Sequence, residues 1–274
     1  MKRKVINIII IILALIGVML LVYPYVSYRL FDRDQTYVVQ QYDDSLAKMT
    51  AQQMEEEWER ARAYNESLVT SVLYDPFASG QEDMDAEYLS LLDITGNGVM
   101  CHIEIPKIKV NLPVFHGVSL STLEKGVGHL EGSSLPVGGT GTHAIMTAHT
   151  GLNSAKLFTD LTEMEIGDGF YIHTLHQILA YRVDSIVVVE PEDVGALSMV
   201  DGKDYVTLVT CTPYGINSHR LLVRGVRVDY TPEEIKQAIA DTDTVLSKET
   251  IMLIVGTALL ILFIITILIV TRRR

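Results

Sequence analysis

The sequence predicts a mainly β domain, an all-β barrel or sandwich, that follows a helical segment and lies between two membrane-spanning helices. Three observations support this prediction. Long apolar runs occupy both ends of the 274-residue chain. A charged stretch with helical spacing follows the first run. Short apolar runs separated by Gly and Pro then continue almost to the second one, which is the pattern of an all-β domain.

The apolar ends are residues 5–23, with Asn7 as their one polar side chain, and residues 251–270, without charge. About 20 helical residues span the roughly 30 Å of a membrane's hydrocarbon core. Basic residues at 2–4 and 272–274 predict that both termini are cytoplasmic. We therefore expect a two-pass membrane protein with an extracellular middle. A cleaved signal peptide is the alternative for the first run, but no small-x-small cleavage site follows it.

Composition excludes several classes of protein. The chain is 48% hydrophobic with a mean hydropathy of +0.25, which is too apolar for a disordered protein. Its formal net charge of -12 argues against a nucleic-acid partner, because binding phosphates requires an excess of Lys and Arg. Two cysteines, Cys101 and Cys211, are too few for a disulfide scaffold. A single disulfide between them stays open.

The pattern of apolar, charged, Gly and Pro residues divides the middle of the chain into a helical region at 24–98 and a β domain at 99–230. In the first region, charges at helical spacing predict helix over 36–73, and Pro76 marks a loop. A helical linker is expected at 231–250 and a basic cytoplasmic tail at 271–274. Strands are predicted at 99–105, 144–148, 169–175, 178–189, 205–211 and 220–229, with short helices at 119–125 and 154–163.

Cys211 is the first candidate for chemistry, because it ends a strand-like run just before a Pro/Gly loop. Arg220 opens the next strand. If the two strands lie side by side, the guanidinium can lower the thiol pKa and stabilise an oxyanion. From the residues alone, a buried strand cysteine and a surface arginine are an equally good interpretation.

A thiol nucleophile also needs a histidine for proton transfer. His149 lies where a strand ends in a loop, but position alone does not choose it over His143 or His219. His173 and His176 resemble a pair of metal ligands. No third or fourth ligand accompanies them, so no metal site is predicted. Neither a phosphate-binding glycine loop nor a GxSxG elbow is present.

Several ordered segments resemble the sortases, the cysteine transpeptidases of Gram-positive surfaces. Thr207-Leu-Val-Thr-Cys211 with Arg220 resembles their cysteine signature, and Thr147-Ala-His-Thr-Gly151 resembles their histidine segment. Further blocks at 128–136 and 154–158, the Asp75-Pro76-Phe77 loop and the second apolar run are similar to class C, the pilin-polymerising sortases. One departure is Ala148-His149-Thr150-Gly151, where the family often has Gly-His-Arg-Gly, so substrate preference is in question.

The resemblance implies an eight-stranded β-barrel and a mechanism. Cys211 would attack the Thr–Gly carbonyl of an LPXTG-like signal, Arg220 would stabilise the oxyanion, and His149 would move protons. Thr210 is implied to bind substrate. The thioester conserves the energy of the cleaved bond, so no cofactor is expected. The implied acceptor is a lysine of a pilin subunit.

The same resemblance implies a lid over the cleft. Asp75 would pair with Arg220 or His149, and Phe77 would cover Cys211, with Pro76 between them. An ordinary turn is the alternative for these three residues. Alternative functions are an anchoring sortase that uses a peptidoglycan amine, a membrane-bound cysteine peptidase and a non-catalytic adhesion or signalling domain. Cys101 is interpreted as a small core residue.

Overall fold

The computed structural model describes residues 2–68, 74–78, 84–152, 155–231, 233 and 256–258. The chain divides into two compact units, of which the smaller includes residues 1–32. The larger unit runs through residues 33–152 and 156–242 and holds every strand described.

Two long helices precede the strands, α1 at Lys2–Leu46 and α2 at Ala51–Ser67. The prediction of continuous helix over 36–73 missed the break between them. Thr50 caps α2 in a capping box, accepting from the Gln53 backbone N–H while the Gln53 side chain accepts from the Thr50 N–H. The T-x-x-Q sequence already carried this signal.

The end of α1 docks on the barrel through one face. Gln35, Val39 and Tyr42 are buried at helical spacing. The Tyr42 hydroxyl donates to the Met100 carbonyl at 3.1 Å and accepts from the Leu175 N–H at 3.0 Å. This aromatic side chain therefore joins the helix to β1 and to the turn that follows β5.

Eight strands form a closed barrel in the order β1-β2-β3-β4-β7-β8-β6-β5. Its β2–β3 and β4–β7 pairs are parallel, and the other pairs are antiparallel. Closure leaves no unpaired sheet edge. The strands are β1 Val99–Ile105, β2 Val110–His116, β3 Val127–His129, β4 Thr142–Thr147, β5 Gly169–Thr174, β6 Gln177–Val189, β7 Asp204–Thr212 and β8 His219–Val228.

The predicted barrel is confirmed, but two of its strands were not anticipated. β2 contains Pro113, which argues against a central strand because proline donates no ladder hydrogen bond. β3 is only three residues long and includes Gly128. Neither was among the predicted strands, and together they form the parallel pair that helps to close the barrel.

Short helices and 3-10 turns lie before and between the strands. α3 at Ala86–Ser90 precedes β1, and α4 at Leu120–Leu123 lies within the helix predicted at 119–125. The helix predicted at 154–163 is a 3-10 turn at Thr159–Glu163 in its described part.

Among the residues that the structure describes, one helix could cross a membrane by length and composition. Its apolar window lies within Ile12–Leu46, has a mean hydropathy of 1.6 and is not buried. This is weak evidence, since a signal sequence near the N-terminus has the same features. The second predicted span, at 251–270, lies outside the described residues apart from 256–258, so the two-pass arrangement is not confirmed. The linker predicted at 231–250 also lies almost entirely outside them.

Candidate active site

The cysteine and the arginine face each other across two adjacent strands. Cys211 is the second-last residue of β7, and its register partner on β8 is Arg220. Side chains of such a pair have Cβ atoms about 5 Å apart. The Cys211 residue is 9% exposed, so the barrel holds the thiol at the edge of the core.

The parallel pairing of β4 with β7 brings the histidine to the same edge. Thr147 on β4 pairs with Val209 on β7, and both strands run in the same direction. Continuing this register by two residues brings His149 level with Cys211. The His149 carbonyl accepts from the Phe158 N–H at 3.2 Å, which ties the following loop to this position. The three residues selected from the sequence therefore lie on β7, on β8 and just after the end of β4.

Residues 74–78 cross this edge as a short strap. The Asp75 carboxylate accepts from the Phe77 N–H at 3.3 Å, and the Asp75 carbonyl accepts from the Ala78 N–H at 2.9 Å. These bonds fold Asp75, Pro76 and Phe77 into a compact turn, with Pro76 buried. We call residues 74–78 the lid segment.

Asp75 occupies the arginine. The Arg220 Nε and Nη2 donate to the two Asp75 carboxylate oxygens at 2.8 and 2.7 Å. The Arg220 Nη1 donates to the Asn217 and His219 carbonyls, both at 3.2 Å. The Arg220 and Asp75 side chains are only 11% and 13% exposed, so water screens the pair weakly. A substrate carbonyl must displace Asp75 to reach the guanidinium fork.

Phe77 lies between the other two functional groups. Its ring centroid is 5.1 Å from the Arg220 guanidinium carbon and 5.6 Å from the His149 ring centroid. The first contact is a cation–π interaction. A single apolar side chain therefore contacts both groups that the resemblance assigns to catalysis.

The lid segment also covers an apolar floor. Tyr74 and Phe77 pack against a buried cluster from several strands and loops. Removing the lid segment would expose this apolar surface to water, an unfavourable change that holds the segment down. The cluster consists of Val118, Leu123, Leu130, Ile145, Leu197, Val209 and Leu222.

Burial and the lid carboxylate keep the Cys211 thiol uncharged at neutral pH, and burial keeps the His149 imidazole uncharged. Burial raises the pKa of the Cys211 thiol; Arg220 lowers it, and Asp75 raises it. Burial lowers the pKa of His149, with Glu124 opposing the shift. A neutral thiol and a neutral imidazole therefore predominate near pH 7. The thiolate, which is the reactive form of a cysteine, is therefore the minor form here.

The hydroxyl of Thr210 is already engaged inside the barrel. It is 1% exposed and donates to the Ala148 carbonyl at 2.8 Å. The substrate-binding role implied for Thr210 stays a prediction.

Two aromatic residues at the site were missed from the sequence. Tyr74 precedes the Asp-Pro-Phe turn, and its hydroxyl is buried without a hydrogen-bond partner among the described residues. Tyr214, 64% exposed, lies against Gly151 so closely that a Cβ there would be 3.1 Å from its ring. Their positions directly beside motif residues were the available signal.

The remaining cysteine and histidine candidates lie elsewhere. Cys101 and Cys211 are both free thiols, and burial raises the pKa of Cys101 to about 12. His173 bonds Glu104 at 3.2 Å and stacks on the His102 ring. Within the described ranges, no group of three or more His, Cys, Asp or Glu side chains could hold a metal ion.

A closed barrel that brings a cysteine, a histidine and an arginine to one edge defines a β-barrel cysteine enzyme. Comparison with known proteins identifies the family. The sortase domain model matches residues 103–228. The crystal structure of sortase C-1 from Actinomyces oris is 46% identical, with 65% of this chain and 99% of that chain covered and a TM-score of 0.63. The chain belongs to the sortase family, whose members are cysteine transpeptidases.

Other relatives support the same assignment. The Streptococcus pneumoniae sortase C structure is 44% identical, covers 72% of this chain and 98% of that chain, and has a TM-score of 0.67. Sortase A of Streptococcus agalactiae is 33% identical over 113 residues, which are 40% of this chain and 45% of that protein. In two further sortases, the match covers 62% and 59% of the relative's length. The chain therefore spans about half the length of these curated relatives.

Proposed function

We propose that this chain is a pilin-polymerising sortase, a transpeptidase that cleaves LPXTG-like signals between Thr and Gly and transfers the acyl group to a lysine of a pilin subunit. The register that brings Cys211, His149 and Arg220 to one edge is the observation that carries the proposal. The class C structures among the relatives support the pilin acceptor.

The first half of the reaction forms a thioester. The Cys211 thiolate attacks the Thr carbonyl, and the oxyanion receives hydrogen bonds from the Arg220 guanidinium. The C–N bond to Gly then breaks, and the His149 imidazolium gives its proton to the departing amine. The acyl group stays on sulfur.

The second half transfers the acyl group. Neutral His149 accepts a proton from the attacking lysine amine, the new amide C–N bond forms, and the Cys211 thiolate leaves. No oxidant, cofactor or ATP enters this balance. Exclusion of water decides whether the amine or hydrolysis wins, and a covered cleft favours the amine.

The lid segment is proposed to hold the enzyme in a resting state. Asp75 takes the guanidinium fork that the oxyanion needs, and it also raises the thiol pKa. Phe77 occupies the space between Arg220 and His149. Opening would release all three restraints together. We further propose a two-pass membrane topology with the barrel outside.

The test is intact-protein mass spectrometry of the full chain in detergent, with Asp75→Ala and Phe77→Ala to open the site. It is mixed with an LPXTG peptide and a peptide carrying the acceptor lysine. We expect an acyl adduct on Cys211 and its transfer to the lysine, with Cys211→Ala as the inactive control. Turnover to water alone would indicate a peptidase, and transfer only to peptidoglycan amines an anchoring sortase. No adduct would refute the proposal.

A further inference from the structure

The backbone ladder between β4 and β7 ends just before the functional residues. Thr147 and Val209 are its last register pair, and the Ala148 N–H donates to the Val209 carbonyl at 3.2 Å. His149 and Cys211 each lie two residues beyond this pair. Their relative position therefore depends on what holds the two strand ends together.

Two threonine hydroxyls link these ends in both directions. Thr147 on β4 donates through Oγ1 to the Val209 carbonyl of β7 at 3.1 Å. Thr210 on β7 donates through Oγ1 to the Ala148 carbonyl, which follows β4, at 2.8 Å. Both threonines are at most 1% exposed, so water has no access to replace either bond.

Each accepting carbonyl belongs to a peptide unit that leads to a functional residue. The Ala148 carbonyl is part of the peptide plane joined to His149, so fixing it fixes the direction in which His149 leaves the strand. The Val209 carbonyl is part of the plane joined to Thr210, directly before Cys211. The two hydroxyl bonds thus restrain the end of β4 directly before His149 and the part of β7 directly before Cys211.

We propose that Thr147 and Thr210 are positioning residues that hold His149 level with Cys211. The inference deepens the proposed function and rests on it, since it concerns the same thiol and imidazole. A displacement of about 1 Å between reacting groups can cost on the order of 100-fold in rate. We call the two bonds the threonine clasp.

The chain supplies a matched control for this proposal. Thr174 on β5 donates to the Pro136 carbonyl at 2.8 Å and is fully buried. Thr174→Val removes the same kind of bond, at a place that the ladder does not connect to His149 or Cys211. Its effect measures what a lost buried hydroxyl bond costs the fold alone.

The experiment uses the full chain in detergent with the Asp75→Ala and Phe77→Ala background. This background receives one further change at a time or the two clasp changes together. The variants are Thr147→Val, Thr210→Val, the two combined, Thr147→Ser, Thr210→Ser and Thr174→Val. Two quantities are measured: kcat and KM for the sorting peptide, and the pH dependence of Cys211 alkylation by iodoacetamide. Thermal melting reports stability for every variant.

We expect each clasp Val variant to lower kcat about tenfold or more, since alignment is lost. Thr147→Val, at a residue with no implied substrate contact, should also leave KM within about twofold. The alkylation midpoint should move to higher pH, because a displaced imidazole N–H no longer donates a hydrogen bond to the thiolate. The Ser variants keep the hydroxyl, so their kcat and alkylation midpoint should stay close to those of the background protein. Thr174→Val should lower the melting temperature without changing kcat or the alkylation midpoint.

Unchanged kcat and alkylation midpoint in the clasp variants would overturn the proposal. So would a Thr174→Val enzyme that loses as much kcat, because the effect would then follow stability alone. If the background protein itself forms no acyl adduct, the proposed function fails. The pH dependence of Cys211 alkylation still tests the threonine clasp in that case, because it needs no peptide turnover. An unshifted midpoint in both Val variants would then reject the positioning role of Thr147 and Thr210.

Discussion

Arg220 and Arg224 lie four residues apart on β8, and each makes a two-pronged ion pair with an aspartate. Arg220 pairs with Asp75 of the lid segment, and Arg224 pairs with Asp184 on β6 at 2.9 and 3.0 Å. Only the first pair lies at the functional edge. The strand therefore carries a test residue and its own control.

Arg220→Lys should lower kcat/KM for the sorting peptide about 100-fold, because lysine cannot offer the planar fork that an oxyanion uses. The measurement is peptide turnover in the lid-opened full chain. Arg224→Lys loses the same fork at the Asp184 pair and should keep turnover within about twofold. Equal losses in both variants would mean that Arg220 acts only through the stability of β8.

At the residue scale, strand-end position alone left alternatives to Cys211, His149 and Arg220, and the resemblance to the sortases selected these three as the candidates. The sequence could not identify Tyr74 or the roles of the two clasp threonines. A hydroxyl's partner depends on the register between strands that are distant in sequence, and no local pattern encodes that register. From the sequence, Thr147 looked like an ordinary strand residue, and Thr210 was implied only to bind substrate.

At the element scale, the lid segment contains its own destabilising group. The Tyr74 hydroxyl is buried without a hydrogen-bond partner among the described residues, and burial raises its pKa. An unsatisfied buried hydroxyl costs about 1–3 kcal/mol, which is recovered when the segment opens into water. The apolar ring packs well, while the hydroxyl favours opening.

Tyr74→Phe should therefore close the lid more firmly. We expect Cys211 in the otherwise unaltered full chain to be alkylated about tenfold more slowly, since 1.4 kcal/mol corresponds to a factor of ten. Tyr37→Phe, at a position 67% exposed on α1, is the control for a lost hydroxyl. Faster alkylation of the Tyr74→Phe protein would contradict the prediction.

The elements themselves were predicted unevenly. The strands β6 and β7 were found with bounds close to those observed, because β7 is buried over most of its length and β6 carries apolar runs at 178–181 and 186–189. β2 and β3 were not, since Pro113 and Gly128 are unfavourable in isolated strands. Closure of the barrel supplies their neighbours, and this long-range pairing overrides the local preference.

At the scale of the whole molecule, three buried histidines link folding to pH. Burial lowers the pKa of His102 to about 3, with a further contribution from His173, and lowers the pKa of His129 and of His143 to about 4. In the unfolded chain such groups titrate near 6.5. Below that pH the unfolded state binds protons that the folded state does not, so stability falls as pH drops from about 6.5 towards 4.

His129 offers the clearest test of this linkage. Its Nε2 donates to the Ser134 carbonyl at 2.8 Å, and its Nδ1 accepts from the Tyr88 hydroxyl at 2.9 Å, so the neutral ring satisfies both partners. His129→Gln keeps one donor and one acceptor but does not titrate. The free energy of unfolding of the variant, measured with denaturant, should therefore fall less steeply between pH 6.5 and 4, whatever its value at pH 7.

Ile145→Val is the control, a core change that removes no titrating group. It should lower the free energy of unfolding and keep the original slope against pH. An unchanged slope in His129→Gln would show that this ring is protonated in the folded barrel as readily as in the unfolded chain.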